Sequence, residues 1–218
     1  MRKSLALATL LGLLSTPQTL LGQGAAIGVR AGTLGLGGEL ALGLTDYVVL
    51  RGGYGWFPLE FEGTYDDVDY TVSPPNSIGT VGIDLYPGGG SFRLMGGIMF
   101  RKGDVTMETG ELADLGEIGD TEYDVPGTLL GTLVTKTTAP FAGIGFGRHT
   151  RAGFGLSMEF GVAFVGEPEV ELEASGPITS VPGFQEELQK EAGYLEEDLG
   201  GILKFWPIVS IGMKIPLG

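Results

Sequence analysis

One histidine and no cysteine leave this 218-residue chain little scope for nucleophilic or thiol chemistry. His149 stands between Arg148 and Arg151, with no serine or acid close by to complete a catalytic set. The absence of cysteine excludes disulfides and thiolate metal sites. Carboxylates are the abundant reactive group. Asp120-x-Glu122-x-Asp124 has the alternation that opens a calcium loop, in which acidic oxygens at odd positions converge on a hard cation. The pattern then fails, since Val125 stands at the sixth position where glycine is needed and Gly131 at the twelfth where glutamate is needed. Asp66, Asp67 and Asp69 form a second acidic group. Solvated loops explain both groups. Asp120, Glu122 and Asp124 remain the candidate ligands for a divalent cation, and no other cofactor is expected. Gly88-Gly89-Gly90 lies between two expected strands rather than before a helix, so it reads as a hairpin turn and not a phosphate cradle.

Composition narrows the classes of chain that could carry these residues. Glycine is the outlier, at 40 residues, and 43% of the chain is hydrophobic. Glycine is costly inside helices and marks bends and close approaches in strands, so a glycine-rich apolar chain leans towards β-structure. The formal net charge of −14 argues against nucleic-acid binding. Arg2 and Lys3, an apolar run over 5–14 and the small residues Gly22, Gly24, Ala25 and Ala26 read as a secretory signal peptide over 1–24. That run is too short for a membrane-spanning helix, which needs about 20 residues. The expected division is therefore a signal peptide, 1–24, and a single β-domain, 25–218.

Eight strands are predicted, over 26–33, 36–44, 48–57, 77–86, 91–102, 139–148, 154–165 and 203–216. Their faces are unequal. Over 91–102, Phe92, Leu94, Ile98 and Phe100 share one face, while Arg93, Met95, Met99 and Arg101 share the other. Over 154–165, Phe154, Leu156, Met158, Phe160, Val162 and Phe164 oppose a face of small residues and Glu159. Eight strands cannot enclose that many large apolar side chains, so the apolar face must point outward into lipid. Tyr54, Trp56, Tyr86, Phe100 and Trp206 lie near strand ends, as interfacial girdles require. Connections on one side are short (45–47, 87–90, 149–153). Those on the other are long (58–76, 103–138, 166–202), except the first, the short turn around 33–35. This is the pattern of an outer-membrane barrel with its short turns in the periplasm. It also puts His149 at the wrong end for chemistry on outer-leaflet lipid. All acidic residues but Glu39, Asp46, Asp84 and Glu159 fall in the long loops, where only Lys136 and Lys190 are basic. Leu188, Ala192, Leu195 and Leu199 repeat at helical spacing and predict a short helix over 186–199 in the last loop.

On these faces Arg30, Arg51, Arg93 and Lys214 point inward, as do Glu39, Asp84 and Glu159. Near-balanced charge in a narrow barrel predicts a plugged interior rather than an ion-selective pore. The 87–90 turn predicts Leu85 opposite Phe92, Ile83 opposite Leu94 and Asp84 opposite Arg93, with Glu39 diagonal to Arg51.

Several stretches are similar to segments of a known family. AGTLGLGGELALGLTDYVVLRGGYGWF (31–57), IGTVGIDLYPGGGSFRLMGG (78–97), APFAGIGFG (139–147) and FWPIVSIGMKIPLG (205–218) follow one another as in the small, OmpA/OmpW-like eight-stranded outer-membrane β-barrel proteins of bacteria, a largely uncharacterised group. The resemblance implies an up-and-down transmembrane barrel in the outer membrane of a Gram-negative-type bacterium and brings no catalytic residues. Its implied partners are the bilayer with its lipopolysaccharide and the outer-membrane assembly machinery. That machinery commonly reads a terminal aromatic residue, where this chain has Ile215-Pro216-Leu217-Gly218. Two roles stay open at this point. One is a structural or interaction barrel presenting acidic loops; the other is passage of small hydrophobic molecules. No set of side chains suggests an enzyme.

Overall fold

The computed structural model describes residues 24–217 apart from 66, 67, 113, 114 and 149–152. The expected signal peptide, together with Asp66, Asp67 and His149, lies outside the described residues, save Gly24 at the peptide's end.

The chain forms β1 (Ala25–Gly32), β2 (Leu36–Gly43), β3 (Val48–Trp56), β4 (Phe61–Tyr65), β5 (Val68–Ser73), β6 (Ser77–Leu85), β7 (Phe92–Lys102) and β8 (Val105–Thr109). It continues with β9 (Gly116–Ile118), β10 (Thr121–Tyr123), β11 (Thr128–Val134), β12 (Thr138–Phe146), β13 (Gly155–Phe164) and β14 (Glu169–Ser175). Among the described residues one α-helix, α1 (Phe184–Leu203), precedes the last strand, β15 (Phe205–Leu217). Eight strands close an antiparallel barrel in the order β1-β15-β13-β12-β7-β6-β3-β2. These are the eight expected strands, shifted by at most a few residues at their ends.

Period-two alternation sets the barrel's two faces. Outward side chains such as Val29, Leu40, Val81, Ile83, Leu94, Ile98 and Ile211 are large, apolar and exposed. Water would penalise a belt of that extent, whereas lipid accommodates it. Tyr54, Trp56 and Phe100 face outward as the expected girdle does. Tyr86 and Trp206 do not. Tyr86 is fully buried in the lumen, and Trp206 turns inward at the rim, where its Nε1 donates to the Thr33 carbonyl at 3.0 Å. Both follow the parity of their own strands, in which even-numbered residues face in.

The β6–β7 register also differs from expectation. Leu85 faces Leu94, Ile83 faces Gly96 and Asp84 faces Met95, two residues away from the predicted pairing. A two-residue offset keeps every side chain on its expected face, whereas one residue would have inverted them all. Tyr86 belongs to the turn in place of a rung with β7: its N–H continues the ladder to β3 by donating to the Tyr47 carbonyl at 2.8 Å, and its carbonyl accepts from the Gly89 N–H at 3.0 Å.

The long connections are not simple loops. β14, β11, β8, β5 and β4 build a five-stranded sheet beyond the rim. Its signal was present in the sequence, since Glu169–Ser175 alternates exposed acids with half-buried Val170, Leu172 and Ala174. The sheet draws strands from each long connection in barrel order, so it continues the wall upward and stops over the short β1–β2 turn. α1 is longer than the expected 186–199 because it runs on to Leu203. With the β9–β10 hairpin it encloses a second core of Leu115, Ile118, Tyr123, Ile178, Phe184 and Leu188. Tyr123 meets Phe184 edge to face at 5.2 Å.

The protein should be recovered in the outer-membrane fraction and show heat-modifiable migration on gels. Val81→Arg or Ile98→Arg, on facing positions of the lipid belt, should each cost about 2–4 kcal/mol in urea unfolding from lipid vesicles.

Candidate functional site

The interior is stratified. At the short-turn end Ala26, Ala41, Val49 and Tyr86 form an apolar stopper. Arg148 closes it from outside, stacking 5.3 Å above the Tyr86 ring and donating to the carbonyls of Gly89 and Asp46. At the long-loop end Leu34, Ile78, Met95, Met99, Ala139, Phe141, Ala163, Val165 and Ile208 pack together. Between these layers lies a belt of charge.

Arg51, from β3, is the hub of that belt. Its Nη1 lies 2.5 Å from Glu159 Oε1 and 3.3 Å from Glu39 Oε2, and its Nε lies 3.2 Å from Asp84 Oδ2. Arg93, fully buried, shares two of these acids: Nε is 3.2 Å from Asp84 Oδ2 and Nη2 is 2.7 Å from Glu159 Oε1. Its Nη1 donates to the carbonyls of Phe146, at 3.0 Å, and Gly147, at 2.6 Å. Ser210 Oγ donates to Glu159 Oε2 at 3.1 Å. Asp84–Arg93 forms diagonally across the offset register, and Glu39–Arg51 forms on the diagonal already expected. The network is wider than pairs, however, because Glu159 ties β13 to β3 and β7 through both arginines.

Arg30 and Lys214 complete the inward set, both buried. Arg30 Nη2 donates to Thr80 Oγ1 at 3.2 Å. Interior glycines make room for these long side chains. A Cβ on Gly53 would come within 2.8 Å of the Arg30 guanidinium carbon, one on Gly145 within 2.7 Å of that of Arg93, and one on Gly155 within 2.5 Å of Lys214 Cε. Asp84 and Arg93 are almost completely buried.

Arg101 is a further inward cation, on the face that holds Arg93, Met95 and Met99. Its parity announced it; its place at the strand end hid it among rim residues. Its Nη2 donates to Asp104 Oδ1 at 2.9 Å and to the Thr135 carbonyl at 3.0 Å.

The structure does not gather the candidate cation ligands. Asp120 sits at the β9–β10 turn, facing α1. Its Oδ2 accepts from Lys190 Nζ and its Oδ1 from the Tyr194 hydroxyl, both at 3.2 Å. Glu122 lies across the hairpin from Glu117, and Asp124 is exposed beyond it. Among the described residues no three acidic or histidine side chains group closely enough to hold a metal ion. Helix acids cap the turn instead: Glu187 Oε2 accepts from the Asp120 N–H at 2.8 Å, and Glu191 Oε2 from the Gly119 N–H at 3.0 Å. Gly119 has φ +62°, and a Cβ there would come within 2.6 Å of Glu187 Oε2, so only glycine suits this turn. Hydrogen bonds from Lys190 and then Tyr194 hold the Asp120 carboxyl below its ordinary range. Lys190 and the Asp120 N–H do the same for Glu187, and the two acids in turn raise Lys190.

The sequence matches no protein-family model and no curated protein. Solved structures do share the fold. The crystal structure of Acinetobacter baumannii CarO2 aligns at TM-score 0.64 and 18% identity, covering 89% of this chain and 98% of that one. That of Acinetobacter baumannii CarO aligns at TM-score 0.61 and 20% identity, covering 93% and 100%. The fold shared with these proteins is thus a closed eight-stranded antiparallel β-barrel, and its own apolar outer belt suits a bilayer.

Two measurements follow. Arg51→Gln or Glu159→Gln alone should destabilise the barrel by about 3–5 kcal/mol, because each leaves buried charges without a partner, and the double variant should cost clearly less than the sum. Urea unfolding in vesicles reads this cycle. In the outer layer, the depressed carboxyls stabilise the latch above the ordinary carboxylate range and lose that contribution as pH falls through their own values. Lys190→Met should therefore move the Asp120 titration to higher pH, as followed by carboxyl NMR of aspartate-labelled protein.

Proposed function

We propose that this protein is a non-conducting outer-membrane barrel that anchors and presents a folded, acidic platform at the cell surface: a structural or interaction protein rather than a pore or an enzyme. The observation that carries this reading is the buried charge belt. Arg51 and Arg93 bridge three carboxylates from β2, β6 and β13 across the lumen, with apolar layers above and below. An apolar solute crossing the lumen would have to displace ions paired in a low-dielectric interior, so passage of hydrophobic molecules along the axis is disfavoured.

The three central acids of the lumen are held in ion pairs with Arg51 and Arg93 rather than set beside a nucleophile, which supports a structural role over a catalytic one. On this reading the partners are the bilayer with its lipopolysaccharide and the assembly machinery during insertion. At the platform they are cationic groups, divalent ions among them, drawn by the excess of acids beyond the rim.

Planar-bilayer recording on the purified protein tests the proposal. Wild type should give no resolvable conductance steps. A variant with Arg51, Arg93, Asp84 and Glu159 all replaced by serine, checked for folding by heat-modifiable migration, should give small ones. Steps from wild type at ordinary salt would overturn the plugged reading.

A further inference from the structure

Where the outer sheet stops short, above the β1–β2 turn, the rim holds a cavity of about 640 Å³. That lies within the range of small-molecule sites, roughly 300–1,000 Å³. Its wall is almost wholly apolar, drawn from Phe61 on β4, Leu133 on β11, Val165, Leu203 at the end of α1, and Trp206 and Val209 on β15. Three polar residues join them, Thr33, whose hydroxyl is bonded to the Val209 backbone, Arg101 and Thr135.

Arg101 is only 5% exposed, and two of its three guanidinium nitrogens, Nε and Nη1, hydrogen-bond to nothing. Thr135 Oγ1 is likewise buried without a partner. Three unspent N–H groups and a hydroxyl at the wall of an apolar chamber are costly to leave so. Asp104 engages Nη2 alone and is about one-third exposed on its side chain, so it does not satisfy the others.

The cavity also runs over the edge of the barrel wall. β15 contributes Trp206 from its inner face and Phe205, Pro207 and Val209 from its outer face. One end therefore reaches the buried cation, and the other reaches the apolar surface at the level of the outer leaflet. That polarity, a single cation at the inner end and an apolar mouth on lipid, fits a single-chain amphiphile with an anionic head.

We propose that this cavity binds a long-chain carboxylate entering sideways from the outer leaflet. The carboxylate accepts hydrogen bonds from Arg101 Nε or Nη1 and from Thr135 Oγ1, and the alkyl chain lies along Trp206, Leu133 and Val209. This site is independent of the plug, which lies deeper in the lumen, so conductance and binding can fail separately.

The test uses full-length protein in phosphatidylcholine nanodiscs and radiolabelled palmitate. Saturable binding above that of empty nanodiscs is expected, with hexadecanol competing at least tenfold less well. Arg101→Met should weaken binding at least tenfold. Leu133→Trp, which fills the chamber and leaves Arg101 in place, should do the same; heat-modifiable migration confirms that each variant is folded. Absence of saturable palmitate binding, or equal binding by Arg101→Met, overturns the proposal. Tighter binding of hexadecyl phosphate than of palmitate overturns the carboxylate assignment and points to a phosphate-headed lipid.

Discussion

A carboxylate held between two guanidinium groups inside a lipid-wrapped cylinder is the constraint on which this molecule turns. Glu159 accepts from both Arg51 and Arg93, and Asp84 lies against both. Charges in a narrow lumen cannot reach bulk water, and none of the inward ionisable side chains would tolerate the lipid side. The strand faces, and the interior glycines beside Arg30, Arg93 and Lys214, all conform to the need to keep these groups together. Removing one partner is far more damaging than never having had the pair, which is why the belt holds as a unit.

The same belt explains which parts of the fold were legible in the sequence. Alternation over 92–102 and 155–164 announces faces directly, because lipid outside and charge inside differ so sharply in chemistry. Register was less legible, as Asp84 and Arg93 show. Long side chains bridge a diagonal as readily as a direct pairing, so their union fixes the face but not the row. Tyr86 and Trp206 were misread for a related reason. An aromatic near a strand end suits an interface, a lumen or a rim equally well, and only strand parity, which was available, separates them.

The outer layer was the least legible. Its strands carry glutamates on the water side and only modest apolar groups beneath, and such stretches read as solvated loops unless alternation is followed residue by residue. Val170, Leu172 and Ala174 needed that closer reading. The acids there are also less idle than their number suggests, since Glu187 and Glu191 cap a turn and Asp120 locks onto Lys190 and Tyr194. Arg101 was hidden by its neighbourhood. What gives it significance is the chamber above it, formed by segments far apart in the chain.

The wiring of the belt also bears on the order in which the barrel can be assembled. Arg51 and Glu159 are 108 residues apart, and the closing seam joins Ala25 to Leu217. A chain folded only as far as β7 would hold Arg51 and Arg93 without Glu159, the acid they share, until β13 delivers it. Hairpin-by-hairpin insertion into lipid would leave both arginines short of that acid, and closure between such distant segments is entropically slow. The favourable route is a nearly concerted one, in which the hairpins gather before any is committed to the hydrocarbon. A half-built barrel is then too unstable to persist, and the electrostatics of the finished interior act as a checkpoint on its own biogenesis.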